Sequence, residues 1–163
     1  MRGPLATRYV QQFLRNVAWG DVDFLILDLP PGTGDIQLTI VQTAELDGVV
    51  VVTTPQEVAL IDARKAIGLF ERVETPILGI IENMSYFQCP SDGKIYHIFG
   101  EGGGEREAAK LGVPLLGKIP LDISTRSGGD EGRPVALEDP GQNPVSAAFR
   151  QVAEQCARVV LDR

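Results

Sequence analysis

The sequence predicts a single α/β domain over residues 1–163, built on a doubly wound and mostly parallel β-sheet. The first observation is a pair of apolar, β-branched runs, Gly48–Thr53 and Ile77–Glu82, which do not alternate with polar residues. Such runs are typical of strands that a parallel sheet buries on both faces. The second observation is helical periodicity between these runs, because strand–helix alternation favours right-handed crossovers within one sheet. No repeat or interdomain linker interrupts the chain, so one domain is expected.

The N-terminal half is predicted to begin with an amphipathic helix over residues 4–18, where apolar side chains recur at helical spacing. Phe24–Leu29 predicts a buried strand, and a short helix is expected near residues 37–45. Consecutive valines mark Gly48–Thr53 as the second strand. Glu57–Val73 is then expected to be helical. Its predicted apolar face consists of Val58, Ile61, Ala66, Leu69 and Phe70.

The C-terminal half is predicted to contain two more strands and two more helices. These are a strand at Ile77–Glu82, a short helix at Glu105–Leu111, a strand at Pro114–Ile119 and a helix at Asn143–Leu161. Residues 85–102 are expected to be irregular with a hairpin around Asp92-Gly93, and residues 122–132 to form a polar loop. Asn143 stands before Pro144 and is the predicted N-cap of the last helix.

Composition and charge limit the classes of function. The formal net charge is −7, from 22 acidic and 15 basic residues, and no basic block stands out. Since binding to a phosphate backbone needs a basic face, we expect no nucleic acid partner. No apolar run approaches the roughly 20 residues that cross a bilayer, so we expect a cytoplasmic protein without a membrane partner. The two cysteines, Cys89 and Cys156, are expected to stay reduced.

The most informative motif is the segment 23–35, in which an apolar run ends at Asp28 and passes into a Pro/Gly turn. A carboxylate at the carboxyl end of a strand lies where open α/β sheets bind ligands. Asp28 is therefore predicted to bind a magnesium-bound water, while Gly32 and Gly34 let backbone N–H groups approach a terminal phosphate. The alternative is an aspartate that caps a turn, and the Pro-Pro-Gly-Thr-Gly-Asp continuation makes it the weaker interpretation.

Five motifs give the chain a resemblance to a known family. They are Asp-Leu-Pro-Pro-Gly-Thr-Gly-Asp (28–35), Val-Thr-Thr-Pro-Gln-Glu-Val-Ala-Leu-Ile-Asp-Ala (52–63), Gly-Ile-Ile-Glu-Asn-Met-Ser (79–85), Ile-Phe-Gly-Glu-Gly-Gly-Gly (98–104) and Pro-Leu-Leu-Gly-Lys-Ile-Pro-Leu (114–121). In this order they resemble the Mrp/ApbC-type iron–sulfur cluster carriers, which are deviant Walker-motif ATPases related to MinD. The resemblance implies a P-loop NTPase fold that binds ATP with magnesium. It also implies a homodimer or higher oligomer that carries a four-iron cluster to apo iron–sulfur proteins.

One part of the family's nucleotide site has no counterpart in the sequence. A Gly-rich loop that ends in Gly-Lys-Ser/Thr occurs nowhere in the 163 residues. Since Arg2-Gly3-Pro4 resembles an internal segment of the family, we expect the N-terminal strand and the Walker A loop to lie upstream of Met1. The phosphate-binding Lys normally stabilises the transferred phosphoryl group. Weak ATP binding and negligible hydrolysis are therefore expected, which leaves open whether this chain is an enzyme.

The resemblance assigns roles to further residues. Asp28 matches the Walker B acid of the family, and residues 29–35 match its second switch. Asn83 matches the residue that reads adenine, and its amide offers both a donor and an acceptor. Pro120 begins the segment that matches the loop closing over the base. The alternatives at Asn83 and Pro120 are a turn-forming asparagine and a simple strand end.

The cluster site is where the sequence departs from the family. Family members carry two cysteines separated by two residues, whereas this chain has Cys89 and Asp92 at those positions. Thiolates are the usual iron–sulfur ligands. A symmetric dimer would offer two thiolates and two carboxylates, and the harder oxygen donor predicts a labile cluster or none.

Two other functions stand beside the carrier. The first is a non-catalytic interaction module that keeps the partner surface of the sheet, which the missing loop and Asp92 favour. The second is a MinD/ParA-like positioning ATPase, which would need a membrane-targeting tail or a basic DNA-binding patch. The C-terminal helix carries only three basic residues, Arg150, Arg158 and Arg163, and disfavours that function. The resemblance also implies that the Walker A strand would pair beside the strand ending at Asp28. Without it, the edge of that strand is exposed, which predicts association into a dimer or higher oligomer.

Overall fold

The computed structural model describes residues 3–29 and 35–162, and a parallel sheet forms its centre. The sheet consists of β1 (Val49–Thr53), β2 (Ile77–Glu82) and β5 (Leu115–Lys118), in the order β1-β2-β5. Both strand pairs are parallel, so the carboxyl ends of all three strands lie at one edge. The predicted strands at these three places are confirmed.

Helices connect and cover the strands. In the described ranges they are α1 (Gly3–Asn16), α2 (Asp35–Thr43), α3 (Glu57–Arg72), α4 (Gly103–Leu111), α5 (Ile123–Asp130) and α6 (Pro144–Leu161), with a 3-10 turn at Val135–Leu137. The predicted hairpin is confirmed as an antiparallel pair, β3 (Phe87–Gln88) and β4 (Ile95–Tyr96). No helix among the described residues is long and apolar enough to cross a membrane.

The main core lies between the sheet and helices α3 and α4. Its centre is Ile80 of β2, which is fully buried. The residues buried around it are Val51, Ala63, Ile67 and Ala108. At about 25 cal/mol per Å² of buried apolar surface, this layer supplies most of the force that holds α3 and α4 on the sheet.

The buried face of α3 differs from the prediction. Val58 and Ile61 are exposed, with 70% and 44% of their surface accessible. The buried residues of this helix are Leu60, Ala63, Ile67 and Phe70. Because α3 carries apolar residues on more than one side, helical periodicity alone does not determine which side meets the sheet.

Helix α6 covers the other face of the sheet. Gly117 of β5 lies so close to Val152 of α6 that a Cβ on the glycine would be 2.5 Å from that side chain. Ile80 faces α3 and α4, and the next residue, Ile81, pairs with Gly117. Since successive strand residues point to opposite faces, β2 and β5 are covered on both sides, whereas Val52 on β1 stays exposed. Asn143 accepts a backbone hydrogen bond at 2.8 Å and caps α6 as predicted.

The predicted buried strand at Phe24–Leu29 is wrong. These residues have no regular secondary structure and no strand pairing, and Phe24, Leu25 and Ile26 are exposed. A strand requires a neighbour that satisfies its backbone N–H and C=O groups. In the part of the chain that the structure describes, β1 pairs only with β2, and no strand pairing joins Phe24–Leu29 to the free edge of β1.

The predicted polar loop at 122–132 is also wrong, because most of it is helix α5. Asp122 caps the helix, and its Oδ2 accepts a hydrogen bond from the N–H of Thr125 at 2.7 Å. A glycine such as Gly128 is typical of loops, but here it lies within α5. Its lack of a side chain allows the backbone near Arg133 to pack closely against the helix. A Cβ at this position would lie 2.4 Å from the carbonyl oxygen of Arg133.

Candidate functional site

The carboxyl ends of the three parallel strands form a connected edge. Just beyond β2, the N–H of Asn83 donates to the carbonyl oxygen of Thr53 on β1 at 2.7 Å. Just beyond β5, the N–H of Ile119 donates to the carbonyl oxygen of Glu82 at 2.9 Å. Open α/β sheets bind their ligands at this edge, which makes it the candidate site.

The structure places Asn83 and Pro120 on adjacent segments of this edge. The N–H of Ser85 donates to the carbonyl oxygen of Ile119 at 2.9 Å. The N–H of Leu121 donates to the carbonyl oxygen of Tyr86 at 2.7 Å. Residues 83–86 and 119–121 therefore run side by side beyond the sheet, with Asn83 on one and Pro120 on the other.

Asn83 has hydrogen-bonding capacity to spare. Its side chain is half-buried, and its Oδ1 accepts one hydrogen bond, from the N–H of Met84 at 2.9 Å. Its Nδ2 has no partner among the described residues. An amide carries two donors on nitrogen and two lone pairs on oxygen. The side chain of Asn83 can therefore still donate a hydrogen bond to a ligand and accept one from it.

Thr54, directly after β1, carries a polar atom that the described part of the chain leaves unsatisfied. Its Oγ1 is buried and makes no hydrogen bond there. An unpaired buried hydroxyl costs about 1–3 kcal/mol. Since the preceding residue, Thr53, accepts the hydrogen bond from Asn83, this hydroxyl lies at the same edge of the sheet. An orphaned polar atom in this place is consistent with a site that a bound group completes.

Glu82 is a residue of this edge for which the sequence predicted no role. It ends β2, is fully buried, and accepts a hydrogen bond from the N–H of Gly104 at 2.7 Å. The hydroxyl of Ser85 donates to its other carboxylate oxygen. The sequence offered one indication of this role, a glutamate at the end of an apolar strand. Glutamate is almost never fully buried unless it is paired, so a glutamate in that position indicates specific hydrogen-bond partners.

The phosphate half of the predicted site is not tested by the structure. Asp28 is exposed on the irregular segment before residue 30, and Gly32 and Gly34 lie outside the described residues. In the described part of the chain, no hydrogen bond or ion pair joins Asp28 to Asn83. The roles of Asp28, Gly32 and Gly34 therefore stay predictions.

Cys89 and Asp92 lie together on the turn of the β3–β4 hairpin. The N–H of Cys89 donates to the carbonyl oxygen of Lys94 at 2.9 Å, and the N–H of Gly93 donates back to Cys89 at the same distance. The Sγ of Cys89 lies 3.1 Å from the Oγ of Ser91. Asp92 accepts a hydrogen bond from the N–H of Lys94 at 3.1 Å. The hairpin thus holds one thiol and one carboxylate on a single tight turn.

The hairpin favours the charged forms of both groups. The hydrogen bonds from Ser91 lower the pKa of the half-buried Cys89 thiol, and they outweigh the contact with Asp92, which raises it. The backbone N–H of Lys94 lowers the pKa of Asp92, and the contact with Cys89 lowers it further. By contrast, burial raises the pKa of Cys156 on α6. Since metals bind the thiolate, Cys89 is the better ligand of the two.

One chain does not assemble a complete metal centre from the residues that the structure describes. Among them, no group of three or more His, Cys, Asp and Glu side chains is placed to hold an ion. His97 lies 3.6 Å from Glu101 and is not on the turn with Cys89. A cluster on Cys89 and Asp92 therefore requires further ligands from a second molecule.

Comparison with known proteins identifies the family. The family model described as "ParA: NUBPL iron-transfer P-loop NTPase" matches residues 1–157. The chain belongs to this family. The resemblance drawn from the sequence motifs is confirmed, and so is the α/β fold of P-loop NTPases.

The relatives of this ParA/NUBPL chain are longer than the chain itself. An iron–sulfur cluster carrier protein from Pyrococcus furiosus is 50% identical over 154 residues, which cover 94% of this chain and 52% of the relative. The carrier protein of Escherichia coli K12 is 49% identical over 156 residues, covering 96% and 42%. A nucleotide-binding protein from Archaeoglobus fulgidus, solved in complex with ADP, is 43% identical with a TM-score of 0.72, covering 79% and 53%. The chain therefore spans about half the length of these relatives.

Proposed function

We propose that this chain supplies the base-binding and cluster-binding parts of an ATP-dependent iron–sulfur cluster carrier. The observation that carries the proposal is that residues 83–86, which begin with Asn83, run beside residues 119–121, which include Pro120, at the carboxyl edge of the sheet. The relative from Archaeoglobus fulgidus, which was solved with ADP, supports a nucleotide as the ligand. The relatives named iron–sulfur cluster carrier proteins support the proposal that the cargo is an iron–sulfur cluster.

The adenine is proposed to lie against Asn83. The free Nδ2 donates to a ring nitrogen of the base, and Oδ1 accepts from its amino group through the lone pair that Met84 does not use. Pro120, half-buried on the adjacent segment, covers the ring. Guanine presents a carbonyl in place of the amino group of adenine, so the oxygen of Asn83 would face another acceptor. The site is therefore expected to prefer ADP over GDP.

The phosphates are proposed to lie towards Asp28, Gly32 and Gly34. Magnesium, when bound, neutralises charge on the β- and γ-phosphates. Asp28 would hold a water of that ion, and the backbone N–H groups of the two glycines would approach the terminal phosphate. The sequence contains no Gly-Lys-Ser/Thr loop, so we expect the 163-residue protein to bind nucleotide mainly through the base and to turn it over negligibly.

The cluster is proposed as cargo shared between two copies of the chain. Each hairpin contributes Cys89 and Asp92, so a symmetric pair provides two thiolates and two carboxylates. The lowered pKa of Cys89 favours its thiolate form. Carboxylate oxygen is a harder donor than sulfur, and release to an apo iron–sulfur protein is correspondingly easier. We place this transfer in the cytoplasm.

Nucleotide binding is tested by NMR titration of the 163-residue protein with ADP and with GDP. We expect the protein to bind ADP more tightly, and Asn83→Ala to lower the ratio of the two affinities towards one. Asn143→Ala is the matched control, because it removes the cap of α6 and costs stability without touching the strand edge. Equal affinities for ADP and GDP in the wild-type protein would contradict the base-binding role.

Cargo binding is tested by anaerobic reconstitution with iron and sulfide. We expect stoichiometric iron and sulfide in the wild-type dimer, and their loss in Cys89→Ser. Cys156→Ser is the control and should retain both, since that thiol lies on α6 away from the hairpin. Asp92→Cys restores the two-cysteine pattern and should slow loss of the cluster.

A second candidate is a non-catalytic interaction module, which Asp92 in the place of a cysteine favours. It predicts that reconstitution fails in the wild-type protein and that Cys89→Ser changes nothing. The two experiments together separate the candidates, because a module without nucleotide chemistry would also show no preference for ADP.

A further inference from the structure

Glu82 is a buried acid at the centre of the candidate site. It ends the central strand of the sheet, its exposed fraction is 0%, and both of its carboxylate oxygens are engaged. Burying a carboxylate is costly unless hydrogen bonds or opposite charges replace the lost water. The hydrogen-bond donors that replace water around the Glu82 carboxylate therefore identify the segments that this residue joins.

The charge of Glu82 is satisfied by hydrogen bonds. No described residue forms an ion pair with it, and its strand neighbour Lys118 binds Glu105 at 3.0 Å instead. The N–H of Gly104, in the first turn of α4, donates to Oε2 at 2.7 Å, and the Ser85 hydroxyl donates to Oε1. Free N–H groups at the start of a helix favour a negative charge, which helps to compensate for the burial.

The bond between Ser85 and Glu82 closes the turn that carries Asn83. Asn83 and Met84 are the two residues between its ends, and Met84 has a φ of 52°, in the left-handed region. A residue other than glycine in this region costs of order 1 kcal/mol and persists only when its surroundings hold it. The side-chain bond across the turn provides that constraint and fixes the direction in which Asn83 leaves the sheet.

The bond to Gly104 ties the same turn to helix α4. A Cβ on Gly104 would lie 3.1 Å from the Cβ of Glu82, and one on Gly103 would lie 2.5 Å from the carbonyl oxygen of Pro55. The first turn of α4 is therefore packed against the chain that leaves both β1 and β2. Through Glu82, the Asn83 turn becomes part of this rigid unit.

We propose that Glu82 is the positioning residue for Asn83. By closing the turn through Ser85 and anchoring it to α4 through Gly104, it holds the Asn83 amide in the orientation that distinguishes adenine from guanine. This inference rests on the proposed base-binding role of Asn83 and adds to it the groups that determine its selectivity.

The experiment compares the ratio of ADP to GDP affinity across matched variants of the 163-residue protein, measured by NMR titration. Ser85→Ala removes the bond that closes the turn, and Glu82→Ala removes both bonds. Glu82→Gln keeps both, because its Oε1 can accept from Gly104 while its Nε2 donates to the Ser85 oxygen. Ser146→Ala is the control for stability, since Ser146 is buried on α6 and donates to the carbonyl oxygen of Glu138 at 2.7 Å.

We expect Ser85→Ala and Glu82→Ala to lower the ratio about five-fold, the factor that corresponds to one ordinary hydrogen bond. Glu82→Gln should stay within about two-fold of the wild type. Ser146→Ala should lower the melting temperature and leave the ratio unchanged. Should Glu82→Ala fail to fold, the milder Ser85→Ala decides.

Two outcomes overturn the inference in different ways. If the wild-type protein prefers ADP and Asn83→Ala abolishes the preference, but Ser85→Ala keeps it, then Glu82 has only a structural role. If the wild-type protein shows no preference, the base-binding proposal fails and the inference fails with it.

Discussion

Glu107 shows how a nearly buried charge can join two helices. It lies on α4 with 5% of its surface exposed, and Arg64 of α3 donates to both of its oxygens, at 2.9 and 2.7 Å. Lys110 donates to it at 2.8 Å. These contacts, that of Arg64 above all, lower the pKa of Glu107 from 4.5 to about 2. The ion pair therefore contributes to stability only while Glu107 is charged.

The sign of the pH dependence follows from the lowered pKa. Folded protein holds the Glu107 proton less tightly than unfolded protein, so the contribution is complete above pH 4.5 and is lost as the pH falls towards about 2. We expect Glu107→Gln to lower the free energy of unfolding at neutral pH by about 1–3 kcal/mol, the cost of losing a hydrogen-bonded charge. The same variant should flatten the loss of stability in that acid range, as measured by urea unfolding at a series of pH values.

Glu57→Gln is the matched control for that measurement. Glu57 binds the same arginine at 2.7 Å, but 65% of its side chain is exposed. Solvent screens exposed pairs, so this variant should change stability much less. If the free energy of unfolding of Glu107→Gln falls with pH in the same way as that of the wild-type protein, then the ion pair of Glu107 does not cause the acid dependence.

The roles of individual residues could be predicted only where a sequence motif contained them. Asn83 could be selected from its match to a family motif, and the structure places its segment beside the one that contains Pro120. The partners of Glu82 lie 3 and 22 positions further along the chain, at Ser85 and Gly104. Spacing in the sequence does not reveal such a pairing, because it depends on how α4 returns to the sheet.

Elements were predictable where their signals were local. The strands at β1 and β2 and the cap at Asn143 follow from the apolar runs and from cap chemistry, and each is present. Phe24–Leu29 carries as strong an apolar run but is not a strand in the structure. A strand depends on its neighbours as well as on its own residues, and in the described part of the chain this segment pairs with no other strand.

Helix α5 depends on its N-cap for stability. Its sequence contains two adjacent glycines, so its stability depends on the cap at Asp122 more than on intrinsic propensity. We expect Asp122→Ala to lower the free energy of unfolding by about 1 kcal/mol, the usual cost of an N-cap. Hydrogen exchange should show faster opening of the α5 amides in this variant.

Asp130→Ala tests whether that loss comes from the cap. Asp130 ends α5 and pairs with Arg126 at 3.1 Å, and 70% of its side chain is exposed. Exposed pairs of this kind contribute little, so the control should exchange at the wild-type rate. If both variants open α5 equally, the cap is not what holds the helix.

At the scale of the whole molecule, large apolar side chains are exposed on β1 and on the segment before residue 30. Ile26 is 86% exposed and Val52 on β1 is 59% exposed. In the described part of the chain β1 pairs only with β2, so its other edge presents unpaired backbone groups. We keep as a proposal that residues 1–163 form one domain. We propose the free edge of β1 and the exposed segment around Ile26 as candidate association surfaces.

We therefore expect the 163-residue protein to form a dimer or higher oligomer, because a free apolar strand edge is a template for pairing with another chain. Val52→Lys and Ile26→Lys should shift the molecular mass measured by light scattering towards that of the monomer, since a lysine would have to be desolvated in the contact. Leu137→Lys is the control, because Leu137 is equally exposed but lies on the 3-10 turn. The edge would have no role in assembly if the wild-type protein were monomeric at high concentration, or if the three lysine variants behaved alike. A dimer that survives Val52→Lys and Ile26→Lys but dissociates in Cys89→Ser would instead place the contact at the β3–β4 hairpin, where shared cargo would hold the two copies together.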